Sequence, residues 1–384
     1  MALFFFLLAI LFGILAIYPF VLYPLSLYVL RQRMAKPLGT QAAAQPLTYA
    51  ICMCAYNERA CIVQKADNLR ALQQAMPGLE VLIYIDAASD GTAEALEPYK
   101  DHFKIHVSPE RHGKTYGMNL LVGMAQADII LFTDANVMLD VKSVAALAKY
   151  YADPEVGCVC GHLIYTNGEG STETANNGSL YWRLEEFIKQ LESETGSLMG
   201  ADGSIFSIRR KLHHAPPADI IDDMYVSFSI LCDGYRLVRA PDVIAYEESV
   251  TIAKEEFRRK VRIACQAFNV HRLMWPRLRQ LDAFNLYKYV AHKLLRWFVL
   301  YWIALSVVSF LIFLVAVGFA WLAAMLLIAV PVLTYVAVKV RIGLVVQLVD
   351  IFYAFAATAL GVWRSVRGDR FQTWTPAQSV RQVR

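Results

Sequence analysis

The chain lacks the features that mark nucleic-acid-binding and disulfide-stabilised proteins. No basic stripe is interleaved with aromatic residues, and the net charge is only +4, so a nucleic-acid partner is not expected. The seven cysteines form no CxxC pair. Cys52/Cys54 and Cys158/Cys160 alternate within strand-like runs, which predicts free, buried thiols. No internal repeat and no low-complexity segment is present.

Charge is also missing from two long stretches. Residues 2–30 contain no charged side chain, and 297–338 is almost unbroken Leu, Val, Ile, Ala and Phe. Because a membrane-spanning helix needs about 20 apolar residues, the first stretch predicts one span and the second predicts two spans hinged near Gly318. The first stretch has no preceding basic region and is too long for a cleaved signal peptide.

The positions of basic residues predict the orientation of these spans. Arg31, Arg33 and Lys36 directly follow the first stretch, and positive charge flanking a span favours the cytoplasmic side. The middle of the chain is therefore expected in the cytoplasm. A hairpin at 297–338 then returns Lys339 and Arg341 to the same side, in agreement with this orientation.

The segment 342–363 is apolar but contains Gln347 and Asp350. A fourth crossing would place the C-terminal arginines outside, so a helix along the cytoplasmic interface is favoured and a fourth span is the alternative. The basic residues near the membrane are expected to contact anionic lipid headgroups. The predicted division is an N-terminal span and basic flank at 1–36, a linker at 37–46, a cytoplasmic domain at 47–285, a transmembrane hairpin at 286–341, and the interfacial or fourth helix with its basic tail at 342–384.

Strand-like and helix-like segments alternate in the middle of the chain, which predicts βαβ units and a mainly parallel sheet. Strands are expected at 48–54, 80–85, 104–107, 128–133 and 157–161, and helices at 60–76, 92–99, 114–126 and 141–151. After these come a predicted loop at 166–179, an aromatic helix at 180–192 and the irregular segment GADGSIFSIRR. In parallel sheets, ligands bind beyond the carboxyl ends of the strands.

Four short acidic motifs lie at those strand ends or helix starts: YNE at 56–58, DAASDGT at 86–92, TDAN at 133–136 and IDD at 221–223. Asp86 can accept a hydrogen bond from a uracil imide or a ribose hydroxyl; an ordinary turn with a helix cap is the alternative. In TDAN, oxygen ligands one residue apart suit Mg²⁺ or Mn²⁺ shared with a diphosphate. Capping of the helix from 141 is the alternative there.

Basic residues accompany the acids. In RHGKTYGMN, Gly113 and Lys114 precede a helix and suit a phosphate or ribose, although the Walker spacing is absent. Arg259 and Arg262 share one face of an amphipathic helix and form either a diphosphate clamp or a solvated basic surface. In IDD, the two acids begin a helix, and one of them can serve as a general base.

In this order across roughly 48–275, the motifs resemble the membrane-bound, processive-type family 2 glycosyltransferases, which include cellulose, chitin and hyaluronan synthases and ceramide glucosyltransferase. The resemblance implies an α/β, GT-A-like (Rossmann-like) cytoplasmic domain with a mixed, mainly parallel sheet and flanking transmembrane helices. It also implies Asp223 as the catalytic base. The other implied residues are Tyr56, Glu58, Asp86, Asp90, Lys114, Arg259 and Arg262 for the donor nucleotide, Asp134 and Asn136 for Mg²⁺ or Mn²⁺, and Gly203, Arg209 and Asp222 on the acceptor side.

The sequence departs from this family at several positions. Asn136 replaces an Asp of the metal motif, Arg259 replaces a Gln, and Ile263 replaces the Trp that stacks on the acceptor in processive synthases. The chain also has few spans for a polysaccharide channel. A single transfer is therefore favoured over processive synthesis. Trp374 with Thr375 and Pro376 resembles the C-terminal tail of several members.

The predicted activity is inverting, metal-dependent transfer from a nucleotide sugar, with UDP as the expected carrier, to a lipid-linked or glycan acceptor at the cytoplasmic face of the membrane. Glycolipid, exopolysaccharide or cell-envelope glycan synthesis is the expected setting. The alternatives are a processive synthase, a membrane nucleotidyltransferase, a nucleotide-sensing membrane protein and an inactive scaffold. A protein partner is left unassigned.

Overall fold

The computed structural model describes residues 1–39, 46–166, 173–248 and 253–373. The predicted tail residues Trp374, Thr375 and Pro376, most of the predicted linker and the middle of the predicted 166–179 loop lie outside these ranges.

One mixed eight-stranded sheet forms the centre of the molecule, with the strand order β3-β2-β1-β4-β7-β6-β8-β5. Its strands are β1 Tyr49–Ala55, β2 Glu80–Asp86, β3 Lys104–Ser108, β4 Ile129–Asp134, β5 Val137–Leu139, β6 Val156–Thr166, β7 Ile205–Arg209 and β8 Arg236–Glu248. The first four in this order run parallel, whereas β7 is antiparallel to both β4 and β6. The predicted mixed, mainly parallel α/β fold is confirmed, as are the five expected strands.

The sheet is buried on both faces because alternate residues enter two separate apolar clusters. Cys52, Leu82 and Phe132 belong to one cluster, and Ile51 and Ile83 belong to the other. A central parallel strand covered on both faces is expected to be apolar throughout, as β1 is. The seven cysteines are free, as predicted.

Helices cover both faces of the sheet and include the candidate membrane spans. They are α1 Ala2–Ile17, α2 Leu22–Leu30, α3 Ile62–Ala75, α4 Thr92–Leu96, α5 Lys114–Met124, α6 Ser143–Tyr151, α7 Glu173–Glu194, α8 Asp222–Cys232, α9 Ala253–Leu278, α10 Ala283–Tyr289, α11 Leu295–Trp297, α12 Val299–Ala316, α13 Ala320–Lys339 and α14 Gly343–Val366. A π-helical turn, Val290–Leu294, joins α10 to α11. The four helices expected among the first strands are confirmed.

Two local predictions after β6 were wrong. The expected loop at 166–179 gives way to α7 at Glu173, although the segment Asn176–Gly178 has poor intrinsic helix propensity. The GADGSIFSIRR segment, expected to be irregular, contains β7. For β7, tertiary context overrides a weak local signal, since this strand is held by neighbours on both sides.

The N-terminal apolar stretch forms two helices with a 63° bend between them, whereas one span was expected. Pro19 lies in the break, and its ring removes a backbone donor that a continuous helix would need. The apolar stretch 297–338 does form a hairpin, with Gly318 between α12 and α13 at a φ of 88°. Within the described residues, α12, α13 and α14 are long and apolar enough to cross a membrane, and the bent pair could form a fourth span. Both the interfacial and the crossing assignment of α14 remain predictions.

A buried polar cluster ties α2 to α7 and to the π-helical turn. Tyr23 donates to Glu192 at 2.5 Å, and the His292 ring lies 2.6 Å from Glu192 and 3.1 Å from Glu185. Arg296 completes the cluster at 2.5 Å from Glu185. Removal of one partner would leave a buried charge uncompensated. This cluster therefore fixes α2 and α11 relative to α7.

Helix α14 packs closely on α9 at Gly361. A Cβ atom there would lie 2.6 Å from both the Ala264 Cβ and the Val261 carbonyl oxygen. Ser365 adds a hydrogen bond of 2.6 Å to Asn269. Only glycine allows this approach, so α14 fixes the position of the helix that carries Arg259 and Arg262.

Gly361→Ala is expected to destabilise the protein by roughly 1–3 kcal/mol, because overpacking forces the two helices apart. Gly343→Ala is the matched control on the same helix, since a Cβ there meets nothing within 4 Å. Removing a glycine from an open helical site should instead be neutral or mildly stabilising. Thermal unfolding in detergent should show a lower midpoint for Gly361→Ala alone. Equal midpoints for the two variants would contradict the close packing.

Candidate active site

A large cavity opens where the carboxyl ends of β1 and β4 meet the start of α8. Its volume is about 1190 Å³, which exceeds the usual range for one small ligand. Nine residues predicted from the sequence line it: Glu58, Lys114, Asp134, Asn136, Gly203, Asp222, Asp223, Arg259 and Arg262. The structure therefore brings together motifs that are far apart in sequence.

An ion pair between Lys114 and Asp134 forms the floor of this cavity. Lys114 Nζ lies 2.6 Å from Asp134 Oδ1. Lys114 begins α5 directly after Gly113, which has a φ of 92° that favours glycine. Burial opposes the charge of Lys114, but Asp134 and Asp222 raise its pKa above the ordinary value. The lysine therefore stays charged and can also face a phosphate.

Two adjacent carboxylates occupy the first turn of α8. Burial and the charge of Asp222 raise the pKa of Asp223 to about 7, although Lys114 opposes this shift. One oxygen of Asp222 is buried and has no hydrogen-bond partner among the described residues. Gly203 packs directly on Asp223: a Cβ at Gly203 would lie 3.2 Å from Asp223 Cγ and closer still to Oδ2. A carboxyl group that titrates near neutral pH inside a cavity suits a general base.

The predicted metal pair has oxygen atoms available for a divalent cation. Asp134 faces the cavity, and Asn136 donates its amide to Glu247 at 3.1 Å, which leaves its carbonyl oxygen as an acceptor. Burial raises the pKa of Glu247 to about 7, and the charge of Asp134 adds to this shift. Within the described ranges, no group of three His, Cys, Asp or Glu residues could hold a metal alone. The donor set fits a cation that shares its ligands with a substrate diphosphate, the usual arrangement for Mg²⁺.

Arg259 and Arg262 extend from α9 into the cavity. Arg259 faces the carboxylates of Glu256 and Glu247. Arg262 has only a long contact of 3.4 Å to Gln266, and burial beside Arg259 lowers its pKa. Among the described residues, no carboxylate forms an ion pair with Arg262. This guanidinium is positioned for an anion from outside the protein.

A comparison with known families identifies the domain that contains the strand-end part of this site. Residues 50–215 match the family model Glycosyl transferase family 2. The chain carries a family 2 glycosyltransferase domain. The matched region begins in β1 and ends after β7, so it includes the YNE, DAASDGT and TDAN motifs.

Two curated relatives support this family assignment. An N-acetylglucosaminyltransferase from Rhizobium meliloti (strain 1021) is 25% identical over 280 residues, which are 65% of this chain and 64% of that protein. An N-acetylglucosaminyltransferase from Rhizobium sp. (strain N33) is 22% identical over 181 residues, covering 42% of this chain and 40% of the relative. The chain thus spans less than two thirds of the length of either relative.

A solved structure shares the fold over nearly the whole chain. A mannosyltransferase from Pyrobaculum calidifontis, in complex with GDP-mannose and Mn²⁺, superposes with a TM-score of 0.73 at 20% identity. The match covers 95% of this chain and 99% of that one. The GT-A-like fold predicted from the sequence is confirmed.

Two predicted donor residues, Asp86 and Tyr56, are not among the described residues that line the cavity. Asp86 is fully buried and accepts hydrogen bonds from the backbone N–H groups of His112 at 2.8 Å and Gly113 at 3.1 Å. It therefore shapes the loop that presents Lys114. The Arg111 guanidinium stacks on the Tyr56 ring at 3.5 Å. The direct nucleotide contacts expected of Asp86 and Tyr56 remain predictions.

Asp90 acts as a turn residue in the structure. It accepts hydrogen bonds from the Arg59 N–H at 2.9 Å and from the Thr92 N–H at 3.1 Å. These bonds lower the pKa of the Asp90 carboxyl, although burial opposes the shift. They match the alternative of a capped turn, and Asp90 is not among the residues that line the cavity.

Arg209 lies at the opposite edge of the sheet from the cavity, so its predicted place near the acceptor was wrong. It pairs in register with Ile129, the first residue of β4, whereas Asp134 ends that strand. Its guanidinium donates to the carbonyl groups of Val156 at 2.8 Å and Tyr151 at 2.9 Å. The antiparallel direction of β7, which the sequence did not reveal, carries Arg209 away from Gly203.

Sequence reasoning missed several residues of the site. Glu247, at the end of β8, accepts a hydrogen bond from Asn136 of the predicted metal pair. The only local feature that marks it is the adjacent acid, Glu248. Lys65 is fully buried on α3 and donates to Thr133 and to the Val137 carbonyl. These two hydrogen bonds hold the residues on either side of the TDAN turn. Gln372, beyond α14, donates to the His112 carbonyl at 3.0 Å and lines the cavity. No short motif predicts such long-range contacts.

Gly203→Ala is expected to lower turnover by roughly 10²-fold, because the added methyl group displaces the carboxylate of Asp223. Gly123→Ala is the matched control, since a Cβ there meets nothing within 4 Å. Nucleotide release from candidate donors measures the effect. Wild-type turnover in Gly203→Ala would show that this contact does not position Asp223.

Proposed function

We propose that the protein transfers a sugar, with inversion, from a nucleotide sugar to an acceptor delivered at the membrane. The observation that carries this proposal is the cavity in which Asp223, Asp134, Lys114 and Arg262 meet. N-acetylglucosamine from a UDP carrier is the donor that we favour, since the curated relatives are named N-acetylglucosaminyltransferases. The structural neighbour holds GDP-mannose, so that donor is the direct competitor in an assay.

In the proposed reaction, Asp223 takes the proton from the acceptor hydroxyl. The acceptor oxygen forms a bond to the anomeric carbon while the bond from that carbon to the diphosphate oxygen breaks. The attack occurs opposite the leaving group, so the configuration inverts. General-base assistance of this kind contributes about 10²–10⁴ in rate.

The leaving nucleotide develops negative charge, and the cavity offers cations for it. Lys114 at the start of α5 and Arg262 on α9 both face the cavity. Fixed charges in a water-poor site stabilise a developing charge without rearrangement. Tyr56 and Asp86, at the ends of β1 and β2, are proposed to hold the nucleoside.

Asp134 and Asn136 are the residues that would hold Mg²⁺ or Mn²⁺ together with the diphosphate, and the ion would neutralise charge on the leaving nucleotide. Asp134 now pairs with Lys114. An ion at Asp134 would compete for that carboxylate and leave Lys114 free to face the diphosphate.

The proposed acceptor is lipid-linked or a glycan, and the proposed side is cytoplasmic. Positive charge after the first apolar stretch supports this side. Ile263 lines the cavity without an aromatic ring, which supports single transfer over processive synthesis. The length of the product, measured by mass spectrometry, distinguishes these two reactions.

Asp223→Asn is expected to lower transfer by about 10²–10⁴-fold and to leave nucleotide binding nearly unchanged, because the variant loses only the base. Asp101→Asn, an exposed loop position, is the control. Release of UDP in the presence of acceptor and calorimetric titration with UDP give the two readouts. Wild-type turnover of Asp223→Asn would remove the base assignment.

The pH dependence of transfer should follow the carboxyl of Asp223. Its pKa is raised to about 7, so kcat/KM should rise as pH increases through neutrality, where the base loses its proton. Asp222→Asn removes a neighbouring negative charge that contributes to this shift. In that variant the acidic limb should move to lower pH. If the acidic limb of the kcat/KM profile stayed at the same pH in this variant, the ionisation would belong to another group.

A further inference from the structure

One lysine at the active-site cavity forms no ion pair with any of the described residues. Lys293 lines the cavity beside Gly200, where a Cβ atom would lie 3.8 Å from Lys293 Cε and 4.0 Å from Nζ. Among the described residues, no hydrogen bond or ion pair reaches its ammonium group. A charged amine that is partly removed from water without a partner is costly, so its position suits the binding of an anion.

The carboxylates around Lys293 are occupied by other residues. Glu185 accepts from Arg296 at 2.5 Å and lies 3.1 Å from the His292 ring. Glu192 is bonded to His292 and Tyr23. Both carboxylates of this cluster therefore already have other hydrogen-bond partners.

Two other lysines in the same region do have hydrogen-bond or ion-pair partners within the protein. Lys288 donates to three carbonyl oxygens, with distances from 2.9 to 3.2 Å. Lys189 lies 3.0 Å from Glu186 and 3.5 Å from Asp202. Lys293 differs from both because its Nζ faces the cavity instead of a protein acceptor.

The backbone that carries Lys293 is unusual. Val290–Leu294 forms a π-helical turn, a rare conformation that is frequent at functional sites. Within this turn, His292 is directed at the buried carboxylates, whereas the next residue lines the cavity.

The membrane end of the cavity is framed by two candidate spans. Lys293 lies six residues before Val299, the first residue of α12 (293 to 299). Leu360 and Arg364, near the end of α14, line the same cavity. An anion at Lys293 would therefore lie close to the membrane interface, where lipid phosphates are found.

One ligand can reach both this lysine and the proposed base. Gly200 contacts Lys293, and Gly203 contacts Asp223. Three residues of chain span at most about 11 Å. A sugar phosphate is long enough to place a hydroxyl at Asp223 and its phosphate at Lys293.

We propose that Lys293 binds the phosphate of a lipid-linked acceptor, so the acceptor is a phosphate-bearing lipid and not a neutral glycolipid. An ammonium–phosphate contact is a charge-assisted hydrogen bond of the strong kind. This inference rests on the proposed function, which it deepens by naming the class of acceptor. A free sugar phosphate has the same anion, and only the lipid would also use the apolar wall at Leu360.

Binding of dodecyl phosphate to the full-length protein in neutral detergent tests the proposal without any donor. Calorimetry should show binding to the wild type, and Lys293→Met should weaken it roughly 10- to 100-fold. Lys293→Arg, which keeps the charge, should retain most of the affinity. Lys142→Met, at an exposed position on the cytoplasmic domain, is the control. Lys293→Gln replaces Lys293→Met if the latter fails to fold.

Dodecanol and inorganic phosphate separate the two sources of the anion. Dodecanol should bind equally to the wild type and to Lys293→Met, and inorganic phosphate should bind much more weakly than dodecyl phosphate. Wild-type affinity of Lys293→Met for dodecyl phosphate would overturn the proposal. Equal affinity of the wild type for inorganic phosphate and dodecyl phosphate would overturn the lipid assignment. UDP release from UDP-N-acetylglucosamine tests the proposed function separately, because the binding assay contains no donor.

Discussion

The ion pair between Lys114 and Asp134 is the interaction on which the active site depends. It joins the start of α5 to the end of β4 at 2.6 Å. The positive charge of Lys114 also acts on the two carboxylates at the start of α8. The same lysine thus connects the proposed metal and diphosphate region with the proposed base. Its charge acts on the carboxylates of both regions.

The sheet makes this convergence possible because parallel strands end at one edge. β1, β2 and β4 deliver the YNE, DAASDGT and TDAN motifs to that edge. The remaining parts come from elements that pack on the sheet: α8 supplies the acids and α9 supplies the arginines. α9 is fixed in turn by α14 at Gly361, so a candidate membrane span determines where Arg259 and Arg262 lie. A change in the position of α14 can therefore reach the arginine side of the cavity.

The sequence was sufficient for the alternating α/β core and for most of the cavity. Apolar runs that end in acids, such as the strand before Asp134, carry a strong periodic signal. It was insufficient where long-range pairing decides the outcome. The antiparallel direction of β7 places Arg209 at the opposite edge of the sheet, and no residue near it signals that direction. Glu247, Lys65 and Lys293 belong to the site or its support through contacts with residues far away in sequence. Pro19 is a residue that often interrupts a helix, but nothing in the sequence predicts the angle of the bend.

The anomeric configuration of the product tests the central claim most directly. The proposed base on the acceptor side, and a diphosphate held by Lys114 and Arg262 on the other side, require a single displacement at the anomeric carbon. With UDP-N-acetylglucosamine, an α-linked donor, proton NMR of the isolated product should show a β linkage. An α-linked product would contradict the assignment of Asp223 as the base of a direct, inverting transfer.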